Sequence, residues 1–191
     1  MSDISEKVKY AMKKIKGAYS LTILYKDQII GVRDPHGVRP LCIGKVENSF
    51  VLASETCALD HVGAEFVREV EPGEIVVIDK TGLHSFHYDG LTVRPAPCIF
   101  EYIYFARPDS VMNGLLNYSV RRKMGIQLAK KYPVEADVVI GVPDSAIPAA
   151  IGYAFESGIP YSDGLIRNRY VGRTFIQPCL LYTSPSPRDR G

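Results

Sequence analysis

The residues best placed to do chemistry lie in a turn between a short apolar run and an apolar helix. Residues 138–140 are all β-branched, which is typical of a strand buried in a parallel sheet. Gly141 and Pro143 end that run, and Asp144 or Ser145 can cap a helix that begins directly afterwards. Such a turn directs free backbone N–H groups and a helix N-terminus at one point, so it predicts an anion site. The alternative is an ordinary capped turn that binds nothing.

A second candidate is the basic stretch RNRYVGRTFIQP at residues 167–178. It is polar and contains glycine, so it predicts a surface loop. Three arginines within seven residues suit a loop that closes over phosphates. The alternative is a solvated basic loop without a ligand.

The elements around these two candidates predict α/β structure. Residues 117–131 have the spacing of an amphipathic helix, and residues 164–166 of a strand. The expected inward face of the helix is Val120, Met124 and Leu128, and the expected solvated face is Arg121, Arg122 and Lys123. Gly158 and Pro160 are expected to end the helix that follows the anion turn.

The first half of the chain predicts a helix packed against antiparallel strands. Residues 3–16 form an amphipathic helix ended by Gly17, and residues 54–62 a short helix capped by Ser54. Strands are expected at residues 19–25, 29–32, 41–44, 49–53 and 74–79, with a return strand after residue 82. The segment RDPHGVRP at 33–40 is a structured turn in which Gly37 has a positive φ. Two prolines at residues 94–97 mark a domain boundary.

Composition excludes several classes of protein. The chain has 191 residues, 46% of them hydrophobic and 23% charged, with a net charge of +2, so neither nucleic acid nor a membrane is an expected partner. No apolar run approaches the roughly 18 residues of a membrane span. The charged N-terminus is not a signal peptide. Four scattered cysteines, Cys42, Cys57, Cys98 and Cys179, favour a reduced cytoplasmic location.

Several segments together resemble glutamine phosphoribosylpyrophosphate amidotransferase, the family that begins purine synthesis. They cover about residues 3–178 and are GAYS (17–20), RDPHGVRPL (33–41), ASETC (53–57), REVEPGE (68–74), EYIYFARPDS (101–110), GVPDSAIPAAIGYA (141–154) and NRYVGRTFIQP (168–178). The pattern RDPxGxRPL is shared among amidotransferases with an N-terminal nucleophile. The ARPDS and NRYVGRTFIQP segments are more specific.

The resemblance implies an αββα glutaminase domain, represented by its second half at residues 1–94, and the start of a type I phosphoribosyltransferase parallel α/β domain at 95–178. It implies hydrolysis of glutamine and transfer of the ammonia to phosphoribosylpyrophosphate, which gives 5-phosphoribosylamine, glutamate and pyrophosphate. Mg²⁺ and, in some members, an iron–sulfur cluster are the implied cofactors. Purine nucleotides are implied inhibitors, and the complete protein is expected to be a homo-oligomer.

The resemblance also assigns residues. Asp144 and Ser145 match the pyrophosphate loop, with Ser145 at a position assigned to Mg²⁺. Residues 167–177 match a mobile loop over the substrate, in which Arg167, Arg169, Tyr170 and Arg173 are the expected contacts. Cys98 occupies the place of a first iron–sulfur ligand, although a lone cysteine is more often part of a core.

The sequence departs from the family at both ends. The N-terminal cysteine nucleophile and the paired-aspartate strand that grips the ribose have no match, so no catalytic residue is assigned. Residues 179–191, CLLYTSPSPRDRG, do not fit the family and are treated as a non-native tail. We therefore expect this chain alone to lack both activities and, with open sheet edges, to fold poorly.

Three other interpretations remain open at this point. One is a non-catalytic sensor of phosphoribosylpyrophosphate or nucleotides, against which the glutaminase-like segments RDPHGVRPL and ASETC argue. A different amidotransferase would lack GVPDS and NRYVGRTFIQP. A purely structural module has no specific support.

Overall fold

Four layers, helix, sheet, sheet and helix, form from residues 4–87. The structure is a computed structural model that describes residues 4–87 and 92–170. The helices are α1 (Ile4–Lys14) and α2 (Thr56–His61). One antiparallel sheet has the order β1 (Ser20–Tyr25), β2 (Gln28–Arg33), β6 (Glu74–Asp79), β7 (Gly82–His87). The other has the order β4 (Ser49–Ala53), β3 (Cys42–Val46), β5 (Glu65–Glu69). This αββα layering confirms the fold class predicted for the first half.

Alternation along the strands divides the core between the layers. On β6, Ile75 and Val77 pack with α1, whereas Val76 between them packs with Ile43 of the second sheet. The period of two places successive side chains on opposite faces, so one strand serves both layers. The second sheet in turn packs its outer face against Leu59 of α2.

Two glycines bring the layers close together. A Cβ atom on Gly31 would lie 2.8 Å from Cδ1 of Leu52, and one on Gly44 would lie 2.7 Å from Cδ2 of Leu59. Any side chain at either position would push a neighbouring layer outward, because the core is already close-packed.

The later elements are shorter and mainly helical. They are a π-helical turn (Glu101–Phe105), a hairpin of β8 (Val111–Met112) and β9 (Leu115–Leu116), and the helices α3 (Asn117–Lys131) and α4 (Ile147–Ser157). A parallel bridge pairs Val139 with Tyr161, with N–H···O distances of 2.8 and 3.0 Å, so α4 connects two parallel segments. Among the described helices, none has the length and apolarity needed to span a membrane.

The predicted inward face of α3 is wrong. The buried residues are Asn117, Arg121, Gly125 and Ala129, and the expected face of Val120, Met124 and Leu128 lines an open groove. Gly125 explains the difference, because it lies directly against the backbone carbonyl of Ala149 on α4. The close contact with α4 therefore lies at Gly125, although the face of Val120, Met124 and Leu128 is more apolar.

Two smaller expectations also need correction. Residues 164–166 do not form the next strand; the pairing with Val139 occurs at residue 161, and Ile166 is 90% exposed. Ser54 does not cap α2, because the N-cap position is Glu55 and its side chain forms no capping bond. Gly158 does end α4, in the left-handed conformation with φ of 76°.

One buried carboxylate, Glu74, organises the REVEPGE segment at residues 68–74. Glu74 is 1% exposed and accepts hydrogen bonds from Arg68 at 2.8 and 2.6 Å, from the Ser85 hydroxyl at 2.6 Å and from the Glu71 N–H at 2.6 Å. Burial raises its pKa, but these hydrogen bonds outweigh burial and hold the pKa of Glu74 below its ordinary value of 4.5.

We predict that Glu74→Gln lowers the free energy of unfolding by about 2–3 kcal/mol at neutral pH, because charge-assisted bonds are lost in a buried site. The pKa of Glu74 is lower in the folded than in the unfolded state. Its contribution is therefore complete above pH 4.5 and is lost as the pH falls through the folded value. Denaturant unfolding at several pH values measures this. Glu65→Gln, at an exposed position of β5, is the control; equal effects of the two variants would contradict the prediction.

Candidate functional site

The turn at residues 141–146 is held tightly against the start of α4. Gly141 is buried, and a Cβ atom there would lie 3.0 Å from Cα of Ile147. The N–H of Ala146 donates to the carbonyl of Val142 at 3.3 Å, which closes the turn. The sequence therefore forms this turn because glycine permits the approach and the preceding segment pairs with residue 161.

The turn leaves backbone donors free at the helix start. The expectation that Asp144 or Ser145 caps α4 is wrong, because Ala146 holds the N-cap position and forms no side-chain bond there. Within residues 4–87 and 92–170, no acceptor pairs with the N–H of Asp144, Ser145 or Ile147. Free N–H groups at a helix N-terminus suit an anion.

Two of the predicted site residues meet in the structure. Nη1 of Arg167 donates to Oδ2 of Asp144 at 2.9 Å, and both side chains are about half exposed. This contact brings the basic stretch to the turn across 23 residues of sequence. A guanidinium in this place adds a cationic donor beside the free backbone N–H groups.

The remaining predicted residues lie near the end of the described chain. Ser145 is half-buried in the turn, and Arg169 is exposed. Tyr170 is fully exposed, with its N–H donating to the side chain of Asn168 at 3.0 Å. Arg173 lies outside the described residues, so its contact with the site stays a prediction.

The side-chain oxygen groups at the turn are of the kind that binds Mg²⁺. The Asp144 carboxylate and the Ser145 hydroxyl are oxygen ligands, which this cation prefers, usually together with substrate phosphates. The surroundings of Cys98 do not fit an iron–sulfur cluster by themselves. Its thiol is free and half-buried, and in the part of the chain that the structure describes no group of three or more Cys, His, Asp or Glu residues could hold a metal.

Two buried charged residues that are adjacent in sequence, Arg33 and Asp34, shape the RDPHGVRP loop. The Arg33 guanidinium donates to the carbonyls of Gly37, Arg39 and Val70 at 3.1, 2.9 and 2.6 Å. The Asp34 carboxylate, which is fully buried, accepts from the N–H groups of His36 and Val38 at 2.8 and 3.1 Å. Gly37 has a φ of 59°, as predicted.

The loop holds the segment with the two prolines. The N–H groups of Arg94, Ala96 and Cys98 donate to the carbonyls of residues 35, 36 and 38 at 3.2, 2.8 and 3.2 Å. The predicted boundary at residues 94–97 is thus fastened to the first half by main-chain bonds.

Sequence reasoning missed a second connection between the halves. Oε2 of Glu55 accepts hydrogen bonds from the Arg107 N–H at 2.8 Å and the Ser110 hydroxyl at 2.7 Å. The hydroxyl of Thr56 accepts from the Val111 N–H at 2.8 Å. The motifs ASETC and ARPDS are therefore in contact. Both motifs are polar, but this shared polarity does not predict that they lie close together.

Two buried charges lie beside this connection. Arg121 donates to the carbonyls of Tyr102 and Ala106, both at 2.6 Å, at the π-helical turn. Glu101 is 2% exposed, and its Oε1 lies 2.9 Å from Nη1 of Arg39, without hydrogen-bond alignment. Burial raises the pKa of Glu101, Arg39 opposes this and Glu55 adds to it.

Comparison with known proteins finds first a domain class and then named relatives. The glutamine amidotransferase domain matches residues 2–61, in agreement with the αββα layers of an N-terminal-nucleophile fold. An amidophosphoribosyltransferase of Archaeoglobus fulgidus is 52% identical over 176 residues, covering 92% of this chain and 38% of the relative. One of Synechocystis is 58% identical over 171 residues, covering 88% and 34%.

A solved structure agrees with these relatives. Glutamine phosphoribosylpyrophosphate amidotransferase from Bacillus subtilis, complexed with ADP and GMP, is 49% identical, with a TM-score of 0.85, over 94% of this chain and 39% of that one. Over most of its length the chain is therefore similar to amidophosphoribosyltransferases. It spans less than two fifths of the length of these relatives.

We predict that Glu101→Gln stabilises the fold increasingly as the pH rises. The pKa of Glu101 is raised above its ordinary value of 4.5 in the folded state, so the unfolded state loses its proton first and stability falls between 4.5 and the raised value. Denaturant unfolding of variant and parent should give a difference that grows through this range. Glu135→Gln, at an exposed position, is the control; parallel pH profiles for Glu101→Gln and the parent would contradict the prediction.

Proposed function

We propose that the protein represented by this chain transfers glutamine-derived ammonia to phosphoribosylpyrophosphate. Glutamine and water give glutamate and ammonia. The ammonia nitrogen then forms a bond to C1 of the sugar and releases one proton, while the C1–O bond breaks so that pyrophosphate leaves with the electron pair. The observation that carries the proposal is the contact of Asp144 with Arg167 at the turn of residues 141–146. This turn occurs in one chain with αββα layers of the amidotransferase class.

The turn suits the second step. Free N–H groups and the N-terminus of α4 would stabilise negative charge on the departing pyrophosphate. Arg167 would move from the Asp144 carboxylate to a phosphate oxygen, since both are anions that accept the same guanidinium. Arg169, Tyr170 and Arg173 follow in the loop and would close over the substrate.

The cofactor and domain assignments form part of the proposal. Ser145, with substrate phosphates, would hold Mg²⁺, which when bound neutralises charge on the pyrophosphate. The glutaminase part is residues 1–94 and the phosphoribosyltransferase part is 95–178. A cytoplasmic location, a homo-oligomer and inhibition by purine nucleotides are proposed on the same basis; the Bacillus subtilis relative is complexed with ADP and GMP. An iron–sulfur role for Cys98 remains a prediction without support from the described residues.

The sensor alternative is weaker. A non-catalytic protein that binds phosphoribosylpyrophosphate would not need a packed αββα layer of the amidotransferase class, and the relatives carry the transferase name. No specific observation favours it.

The test is a graft of residues 4–170 into the full-length Bacillus subtilis relative in place of its matching stretch. The chimera should release pyrophosphate from phosphoribosylpyrophosphate with either glutamine or ammonium as nitrogen source. A folded chimera that hydrolyses glutamine but releases no pyrophosphate with either source would refute the proposal.

In this chimera, Arg167→Ala should raise the KM for phosphoribosylpyrophosphate by about tenfold to a hundredfold, which is the value of one charge-assisted hydrogen bond. Steady-state kinetics with ammonium as nitrogen source isolate the effect. Arg94→Ala, which removes an exposed arginine side chain, is the control. An unchanged KM for Arg167→Ala would exclude this residue from the site.

Ser145→Ala should raise the Mg²⁺ concentration that gives half-maximal transfer, by about tenfold if one ligand bond is lost. Glutamine hydrolysis, which does not involve the turn, should be unaffected. If the Mg²⁺ titration curves of Ser145→Ala and the parent chimera coincide, Ser145 is not a ligand of the metal.

A further inference from the structure

Glu55 forms the centre of a polar connection between the first half of the chain, residues 4–87, and the second half, residues 92–170. Its Oε2 accepts the N–H of Arg107 and the hydroxyl of Ser110, and Thr56 accepts the N–H of Val111. Ser110 is fully buried and Thr56 is 7% exposed. We call these five residues the 55–111 clasp.

The position of Glu55 is unusual for its own helix. It holds the N-cap of α2, where Ser, Thr, Asp or Asn would normally bond to the first turn, yet its side chain forms no such bond. The carboxylate is directed to the other half instead, across 52 and 55 residues of sequence. Glu55 thus forms a long-range contact in place of a helix-capping bond. Departures from local sequence preferences of this kind are typical of functional positions.

The charge of Glu55 also acts on the second half. Arg121 is 2% exposed and bonds only to backbone carbonyls among the described residues, so its positive charge has no direct carboxylate partner there. Burial lowers the pKa of Arg121, and the nearby Glu55 charge opposes this. Glu55 therefore contributes both two hydrogen bonds and a compensating charge to the segment that begins the second half.

Orientation of the halves matters for the chemistry. Ammonia set free in one half must reach C1 of a sugar bound in the other, and any opening between them lets it escape to water. We infer that Glu55 is a positioning residue that holds the two halves together so that the released ammonia is captured. This inference rests on the proposed function, and concerns a residue that touches neither substrate.

The experiment measures how much of the released ammonia is used. In the chimera carrying residues 4–170, the ratio of glutamate formed to pyrophosphate released is measured with glutamine as nitrogen source. Glu55→Ala should raise this ratio by about threefold or more, the scale of losing the clasp hydrogen bonds. Its rate with saturating ammonium should stay within about twofold of the parent, because that reaction needs no transfer between halves.

Matched variants separate positioning from stability. Glu65→Gln removes a charge from exposed β5 and should leave the ratio unchanged. Ser110→Ala removes one donor from the opposite side and should shift the ratio in the same direction as Glu55→Ala, which keeps the test decisive if Glu55→Ala does not fold. Glu55→Gln retains an oxygen acceptor and should fall between the parent and Glu55→Ala.

The outcomes distinguish the two proposals. A parent chimera that transfers from neither nitrogen source refutes the proposed function, and the inference with it. A parent that transfers normally, with Glu55→Ala and Ser110→Ala leaving the ratio unchanged or lowering both activities equally, overturns the inference alone.

Discussion

The fold depends on the two adjacent charges of the RDPHGVRP loop. Arg33 and Asp34 are buried with exposed fractions of 5% and 0%, and each satisfies its hydrogen bonds mainly with backbone groups rather than with the other. A buried charge without partners is very costly, so the backbone of this loop has little freedom. The fixed carbonyls of residues 35, 36 and 38 then accept the N–H groups of residues 94, 96 and 98, which attaches this segment to the loop.

Small residues position the candidate site at the other end of the chain. Gly125 and Gly152 lie directly against backbone atoms of the facing helix, so α3 and α4 approach closely. The start of α4 is then fixed by the parallel pairing of Val139 with Tyr161 and by the tight contact of Gly141 with Ile147. An anion site built from backbone N–H groups needs such a rigid support, because backbone donors cannot adjust as long side chains do.

Particular elements show where sequence reasoning succeeds. β2, β4 and β6 agree with expectation because each is a run of apolar residues bounded by clear turn signals. β5 was missed because it is an edge strand, Glu65–Glu69, whose pairing with β3 is irregular near Ile43, so its side chains do not alternate cleanly. The face of α3 was wrong because Arg121 is satisfied by carbonyls that no local pattern reveals.

The sequence by itself determined the resemblance to amidophosphoribosyltransferases, the fold class, the candidate turn and most strands, because these follow from local patterns and from motifs in a fixed order. Only the tertiary structure decided that Asp144 meets Arg167, that Glu55 reaches Ser110 and that Glu101 is buried beside Arg39. These contacts join residues 23 to 62 positions apart. A carboxylate gives no sign in sequence of which distant donor it will accept, since that depends on how the layers pack rather than on its neighbours along the chain.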